Sequence, residues 1–136
     1  MEATITKNDF QTIVEVTNEN QKDKIGNLIS KIQNYTNIDC RKNKDQSKIT
    51  SNQLRGVYDE INKCKTNLDL QLVRPKLAYI AGRQKDAKDI VMFFNDLLKY
   101  ANDQIIKTKD DSGIIKNIKE FFAALVSYHK YYYKES

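Results

Sequence analysis

Glycine and proline are scarce in this chain, with four glycines and one proline in 136 residues. Sandwiches and barrels of β-strands depend on many tight turns, which these two residues favour. Their scarcity therefore argues against an all-β fold. It favours helices joined by polar loops, which need few residues with special backbone angles.

Cysteine and histidine are nearly absent. The two cysteines, Cys40 and Cys64, have neither CxxC spacing nor neighbouring histidines, and His129 is the only histidine. A structural zinc site needs four such ligands, and a disulfide framework needs several cysteines at suitable spacings. We therefore expect no metal site, no cofactor and no disulfide framework, with the thiols reduced as in a cytoplasm.

Long apolar runs and a secretory leader are also lacking. No apolar run approaches the roughly 18 residues that a membrane span requires. The first ten residues lack the cationic start and apolar core of a signal peptide. With 40% hydrophobic and 30% charged residues, the chain has the composition of a folded protein with a well-solvated surface. We expect a cytoplasmic protein with no membrane partner.

Apolar residues recur at helical spacing along most of the chain. The pattern predicts five helices, covering residues 21–35, 50–64, 70–83 or 75–83, 86–106 and 113–134. A polar loop is expected over residues 36–48. Thr50 and Gln53 fit a capping box at the start of the second helix. Pro75 should lie near the start of the third helix, and Gly82 suits its end.

The predicted fold is all-α, a compact bundle of about five helices in a single domain. Residues 21–136 should form the helical bundle domain. Residues 1–20 are mostly polar, with a short apolar patch at Ile13, Val14 and Val16. We expect them to be an N-terminal arm, either extended or poorly ordered.

Catalytic motifs are not apparent. Nucleophilic catalysis needs a base beside a serine or cysteine, and the one imidazole, His129, lies at the edge of an apolar helical stripe between Leu125 and Tyr132. Packing in the core is the simpler interpretation of this histidine. No phosphate-binding glycine loop occurs. The sequence thus favours a protein that binds and is not an enzyme.

Positive charge is concentrated in one segment. The net charge is +5, and residues 70–85 contain four basic residues and no acidic one. At 100° per residue, Lys76, Tyr79 and Arg83 fall within about 60° of each other on a helix. Two cations with an aromatic ring between them suit a phosphate backbone. An ordinary solvated helix face is the alternative interpretation.

The C-terminal helix carries four tyrosines, Tyr128, Tyr131, Tyr132 and Tyr133, which point in all directions around its axis. One small core cannot bury all four rings, so some should be exposed or covered by a partner. This feature leaves open a second function, that of a helical protein–protein adaptor without direct nucleic-acid contact.

Three segments resemble a known family when taken together. They are Ile49-Thr50-Ser51-Asn52-Gln53-Leu54-Arg55 with Val57-Tyr58, then Val73-Arg74-Pro75-Lys76-Leu77-Ala78-Tyr79-Ile80-Ala81-Gly82-Arg83, and finally Phe122-Ala123-Ala124-Leu125-Val126-Ser127-Tyr128-His129-Lys130-Tyr131. Their order and separation and the chain length are similar to the small subunit of type III-A CRISPR–Cas effector complexes, the Csm complexes. The resemblance spans residues 49–135.

The resemblance implies a helical, non-catalytic subunit of an antiviral ribonucleoprotein. Copies of such subunits stack along the complex and contact the backbone of the crRNA–target RNA duplex. The implied partners are guide RNA, target RNA, a large polymerase-like subunit, repeat-type backbone subunits and further copies of itself. The catalytic activities belong to the other subunits.

The expected RNA-binding residues combine this resemblance with the helical geometry. They are Arg55, Arg74, Lys76, Tyr79, Arg83 and Lys130. For Arg55 a second role is open, since it flanks the apolar stripe of its helix and could instead bridge to a neighbouring helix.

Overall fold

The computed structural model describes residues 4–17, 19–41 and 49–132, and within them helices are the only regular secondary structure. The α-helices described are α1 (Phe10–Val14), α2 (Ile25–Arg41), α3 (Ser51–Asn62), α4 (Asn67–Gln71), α5 (Val73–Arg83), α6 (Lys88–Thr108) and α7 (Asp111–Tyr132). Short 3-10 segments cover Lys7–Asp9, Glu19–Lys24 and Lys85–Ala87. The predicted all-α class is confirmed. The five predicted helices correspond to α2, α3, α5, α6 and α7, and the short α1 and α4 were missed.

The two longest helices, α6 and α7, supply most of the core. Phe94 of α6 and Phe122 of α7 are fully buried, and their ring centroids lie 4.9 Å apart. Helix α7 packs against both α2 and α3, while α6 packs along α5. The apolar stripes predicted for both long helices face this core, because residues three and four apart share one side of a helix.

Helix α3 begins where the sequence predicts. The Gln53 backbone N–H donates to the Thr50 hydroxyl, and the Thr50 backbone N–H donates to the Gln53 side-chain oxygen, both at 3.1 Å. The capping box is therefore confirmed. Leu54, Val57 and Ile61 are buried on the inner face of the helix that it starts.

Thr50→Ala is expected to lower the free energy of unfolding by about 1 kcal/mol, because one backbone donor at the start of α3 loses its acceptor. Urea unfolding followed by circular dichroism measures the change. Ser112→Ala, at an exposed position in the first turn of α7, is the control and should change the midpoint little. An equal effect of both variants would contradict the contribution of the cap.

The end of α2 differs from the prediction. A loop was predicted over residues 36–48, but the helix continues to Arg41, so the prediction is wrong for residues 36–41. Thr36 is fully buried, and its hydroxyl donates to the carbonyl oxygens of Ile32 and Gln33 within the helix. The polar side chain of Thr36 can therefore be buried within the helix, because the helix backbone supplies its hydrogen-bond acceptors. Residues 42–48 of the predicted loop lie outside the described residues.

The N-terminal segment packs on the bundle. Ile13 and Val14 of α1 are buried, and the Phe10 ring lies 5.1 Å from that of Phe93. The Asn117 side chain on α7 donates to the Val14 carbonyl oxygen at 2.7 Å. An extended or poorly ordered arm is therefore wrong for Phe10–Val14. The division of the chain at residue 20 stays a prediction.

The region around Pro75 contains two helices. Thr66 caps α4, with the Asp69 backbone N–H donating to its hydroxyl at 3.2 Å. Helix α5 then begins at Val73, which places Pro75 in its first turn, as predicted. That position tolerates proline because the first backbone N–H groups of a helix have no partner within it. Gly82 lies in the last turn.

The connection between α6 and α7 is a tight turn. Lys109 adopts a left-handed conformation with φ of 60° and ends α6. Asp110 accepts a hydrogen bond from the Gly113 backbone N–H at 3.1 Å. Among the helices that the structure describes, none combines the length and the apolar character needed to cross a lipid bilayer.

Candidate nucleic-acid interface

The outer face of α5 presents three of the expected RNA-binding residues together. Lys76, Tyr79 and Arg83 are exposed, while Leu77 on the opposite side is buried. The Arg83 guanidinium carbon lies 5.7 Å from the centre of the Tyr79 ring, and its terminal nitrogen donates to the Tyr79 hydroxyl at 3.3 Å. We call these three residues the α5 face. It offers two cationic groups and an aromatic ring to solvent.

Lys76 has an acidic neighbour that the sequence pattern did not predict. Its ammonium group lies 2.8 Å from a carboxylate oxygen of Glu60 on α3. The hydrogen bond from Lys76 is the main reason why the pKa of Glu60 is lowered from its usual value. Residues 70–85 contain no acid in sequence, but α3 brings one to their surface. The electrostatic potential at the α5 face is therefore less positive than the charges of residues 70–85 alone would make it.

Arg74 is placed away from the α5 face. It is partly buried, and its Nε donates to the Asn95 side-chain oxygen of α6 at 2.9 Å. A terminal nitrogen also donates to the Gln71 side chain at 3.3 Å. At 100° per residue, Arg74 lies about 200° around the helix from Lys76. The structure therefore gives Arg74 a role in joining α5 to α6.

Arg55 and Lys130 line a shared cleft between the start of α3 and the end of α7. The cleft encloses about 310 Å³, and its other lining residues are Ser51, Asn52, Leu54, Val126 and His129. Both cationic residues are exposed. Arg55 pairs with Asp59 one turn further along α3, at 3.1 Å, and lies 5.7 Å from the Tyr58 ring centre. Its ion pair is thus within its own helix and does not bridge to a neighbour.

The expected residues therefore fall into two exposed groups and one partly buried residue. The α5 face forms one group, the Arg55–Lys130 cleft forms the other, and Arg74 stands apart. Helix α3 carries Arg55 of the second group and packs against both α5 and α7. Exposed guanidinium and ammonium groups beside aromatic rings suit contact with phosphates and stacked bases.

His129 and Cys64 are both engaged in packing. His129 is buried, and its Nε2 lies 3.2 Å from the carbonyl oxygen of Ile49. Burial raises the pKa of the Cys64 thiol, whose sulfur lies 3.4 Å from the Glu60 carbonyl oxygen. In residues 4–17, 19–41 and 49–132, no three histidine, cysteine or acidic side chains are arranged to hold a metal ion.

The C-terminal tyrosines differ in exposure. Tyr131 is 78% exposed, whereas Tyr128 and Tyr132 are partly buried. The Tyr132 hydroxyl accepts a hydrogen bond from the Gln33 side chain of α2 at 3.0 Å. Tyr133 lies outside the described residues. At least one ring is thus exposed to solvent, as the sequence predicts.

A comparison with protein-family models finds one that matches residues 26–135, described as Csm2 Type III-A. The match covers most of the chain and includes nearly all of α2, which the three sequence segments did not reach. No curated protein and no solved structure matches the chain significantly.

Proposed function

The chain belongs to the Csm2 Type III-A family, and from this premise we propose that it contacts the sugar-phosphate backbone of crRNA paired with target RNA. The family forms a small subunit of the type III-A Csm complex, which acts in CRISPR defence. In the proposal the subunit is non-catalytic, acts in the cytoplasm and stacks with further copies of itself along the complex.

The observation that carries the proposal is the α5 face. Lys76, Tyr79 and Arg83 are all exposed, and the Arg83 guanidinium lies against the Tyr79 ring. Such a surface contacts phosphates without reading bases. That suits a subunit of an RNA-guided complex, in which sequence recognition is left to base pairing. Arg55 and Lys130 extend the proposed contact to the cleft beside α7.

Weak contacts by each copy are consistent with this role. A few cations per copy give modest, salt-sensitive affinity. Several copies held side by side on one complex bind the same duplex and gain affinity through their effective concentration. The proposed protein partners are the large polymerase-like subunit and the repeat-type backbone subunits, which in this proposal carry the catalytic activities.

Replacing both cationic residues of the α5 face with alanine tests the proposal. Lys76→Ala/Arg83→Ala should weaken binding of an RNA duplex on the order of tenfold at low salt, and each lost phosphate contact should make the salt dependence shallower by about one unit of slope. Fluorescence anisotropy of the full chain over a salt series measures both. The control variant is Lys99→Ala/Lys107→Ala, which removes the same charge from exposed positions of α6 and should weaken RNA binding less.

The assembled complex supplies the second readout. The double variant should still join the complex but bind target RNA less tightly. If it joins the complex and supports target-RNA binding unchanged, or if the control variant weakens binding equally, the α5 face is not the RNA-contacting surface.

A protein–protein adaptor is the second candidate, and the exposed Tyr131 ring at the end of α7 favours it. Ultraviolet cross-linking of the assembled complex separates the two candidates. Cross-links between RNA and this chain at α5 support the RNA-contacting subunit. RNA cross-links to the other subunits alone, with Tyr131→Ala disrupting assembly, support the adaptor.

A further inference from the structure

We propose that Asp59 and Glu60 of α3 are positioning residues, whose carboxylates hold Arg55 and Lys76 in ion pairs and so limit the affinity of the subunit for RNA. The inference rests on the proposed function and adds to it a control of affinity. It assigns a role to two acidic residues beside the proposed interface.

The two carboxylates serve the two cationic groups separately. Asp59 lies one turn after Arg55, with its Oδ1 3.1 Å from the Arg55 Nε. Glu60 reaches across to α5, with its Oε2 2.8 Å from the Lys76 Nζ. Successive residues on a helix point about 100° apart. One acidic residue of α3 therefore faces along its own helix while the next faces its neighbour.

Both cations remain accessible although they are paired. The side chains of Arg55 and Lys76 are 65% and 59% exposed in their ion pairs. Exposed ion pairs contribute little net free energy, so an RNA phosphate can exchange with the carboxylate. The displaced carboxylate nevertheless stays within a few ångströms of the phosphate and repels it, at a distance shorter than the screening length.

Arg83 provides the contrast on the same α5 face. It contacts the neutral hydroxyl and ring of Tyr79. The salt bridges found in the described part of the chain do not include it. Lys76 is thus paired with a carboxylate, whereas Arg83 has no acidic partner among the described residues. The hydrogen bond from Lys76 also keeps the pKa of Glu60 low, so this carboxylate is ionised at neutral pH.

Restraint of this kind favours binding within an assembled complex. A single copy loses some attraction to any RNA that it meets in free solution. Several copies on one duplex recover the affinity through multivalency. The two acidic residues therefore reduce contact with unrelated RNA at little cost to the complex.

Glu60→Gln tests the role of the carboxylate, because it keeps the side-chain shape and removes the charge. We expect the affinity of the full chain for a short RNA duplex of arbitrary sequence to rise about two- to fivefold at low salt. Asp59→Asn should act in the same direction through Arg55. Asp103→Asn, at an exposed position of α6, removes the same charge away from the proposed interface and is the matched control.

A double-mutant cycle then shows whether the effect runs through Lys76. Glu60 also lies 3.9 Å from the Lys63 ammonium, so we expect a small gain in affinity to persist without Lys76. Most of the gain from Glu60→Gln should disappear in a Lys76→Ala background, and the gain from Asp59→Asn should disappear in an Arg55→Ala background. The inference is overturned if the gains in RNA affinity persist in full in these backgrounds. It is also overturned if they are no larger than the gain from Asp103→Asn.

The same measurements separate this inference from the proposed function. If Lys76→Ala weakens RNA binding but Glu60→Gln behaves like the control, only the counter-ion role fails. If neither Lys76→Ala nor Lys76→Ala/Arg83→Ala weakens RNA binding, the proposed interface itself is wrong.

Discussion

Phe122→Ala is expected to lower the free energy of unfolding by about 3–5 kcal/mol, the usual cost of removing a buried phenylalanine. Phe122 is fully buried in the middle of α7. Its ring centroid lies 4.9 Å from that of Phe94 and 5.3 Å from that of Phe121. Alanine would leave a cavity where α6 and α7 meet, and the surrounding rings can only partly fill it.

Urea unfolding monitored by circular dichroism measures this loss. Phe122→Leu keeps most of the apolar volume and should cost clearly less than alanine. Tyr131→Ala, on the same helix but 78% exposed, should change stability by no more than about 0.5 kcal/mol. A Phe122→Ala variant as stable as Tyr131→Ala would show that the α6–α7 contact does not hold the bundle together.

The long helices could be predicted because their signals are local. In α6 and α7 the buried residues recur at spacings of three and four, so the sequence alone indicates which face enters the core. The capping box of Thr50 and Gln53 likewise lies within four residues. The same signal at Thr66 and Asp69 marks the start of α4, and it was equally visible in the sequence.

The charges of the candidate interface could be predicted only in part. The phase of Lys76, Tyr79 and Arg83 follows from helix geometry, and all three are exposed. The carboxylate beside Lys76 comes from Glu60, sixteen residues earlier and on another helix. No window of sequence around α5 contains it. The engagement of Arg74 by Asn95 is hidden in the same way, because it depends on how α5 packs on α6.

The N-terminal segment was missed because its α-helix is very short. Helix α1 has five residues, too few to show a helical period. It is stable only through its packing, since isolated helices of this length do not form in water. The three-dimensional partners that decide its conformation, Phe93, Tyr100 and Asn117, lie more than eighty residues away in the chain.

Phe10→Ala is expected to lower the free energy of unfolding by about 3–5 kcal/mol, although it lies near the start of the chain. The Phe10 side chain is buried, with ring centroids 5.1 Å from Phe93 and 5.8 Å from Tyr100. These contacts join α1 to α6 and continue the aromatic cluster of the core. If residues 10–14 were a poorly ordered arm, Phe10→Ala would not change the free energy of unfolding. The size of the loss therefore distinguishes a packed helix α1 from such an arm.

Gln11→Ala is the control for Phe10→Ala, because Gln11 is exposed on the same helix and its removal should change stability by at most about 0.5 kcal/mol. The double variant Phe10→Ala/Phe93→Ala then tests whether the rings contact each other directly. Its loss should fall short of the sum of the single losses by about 0.5–1.5 kcal/mol, the coupling typical of an aromatic pair. Equal stability of Phe10→Ala and Gln11→Ala would contradict the packing of α1, because the buried ring would then contribute no more than an exposed amide.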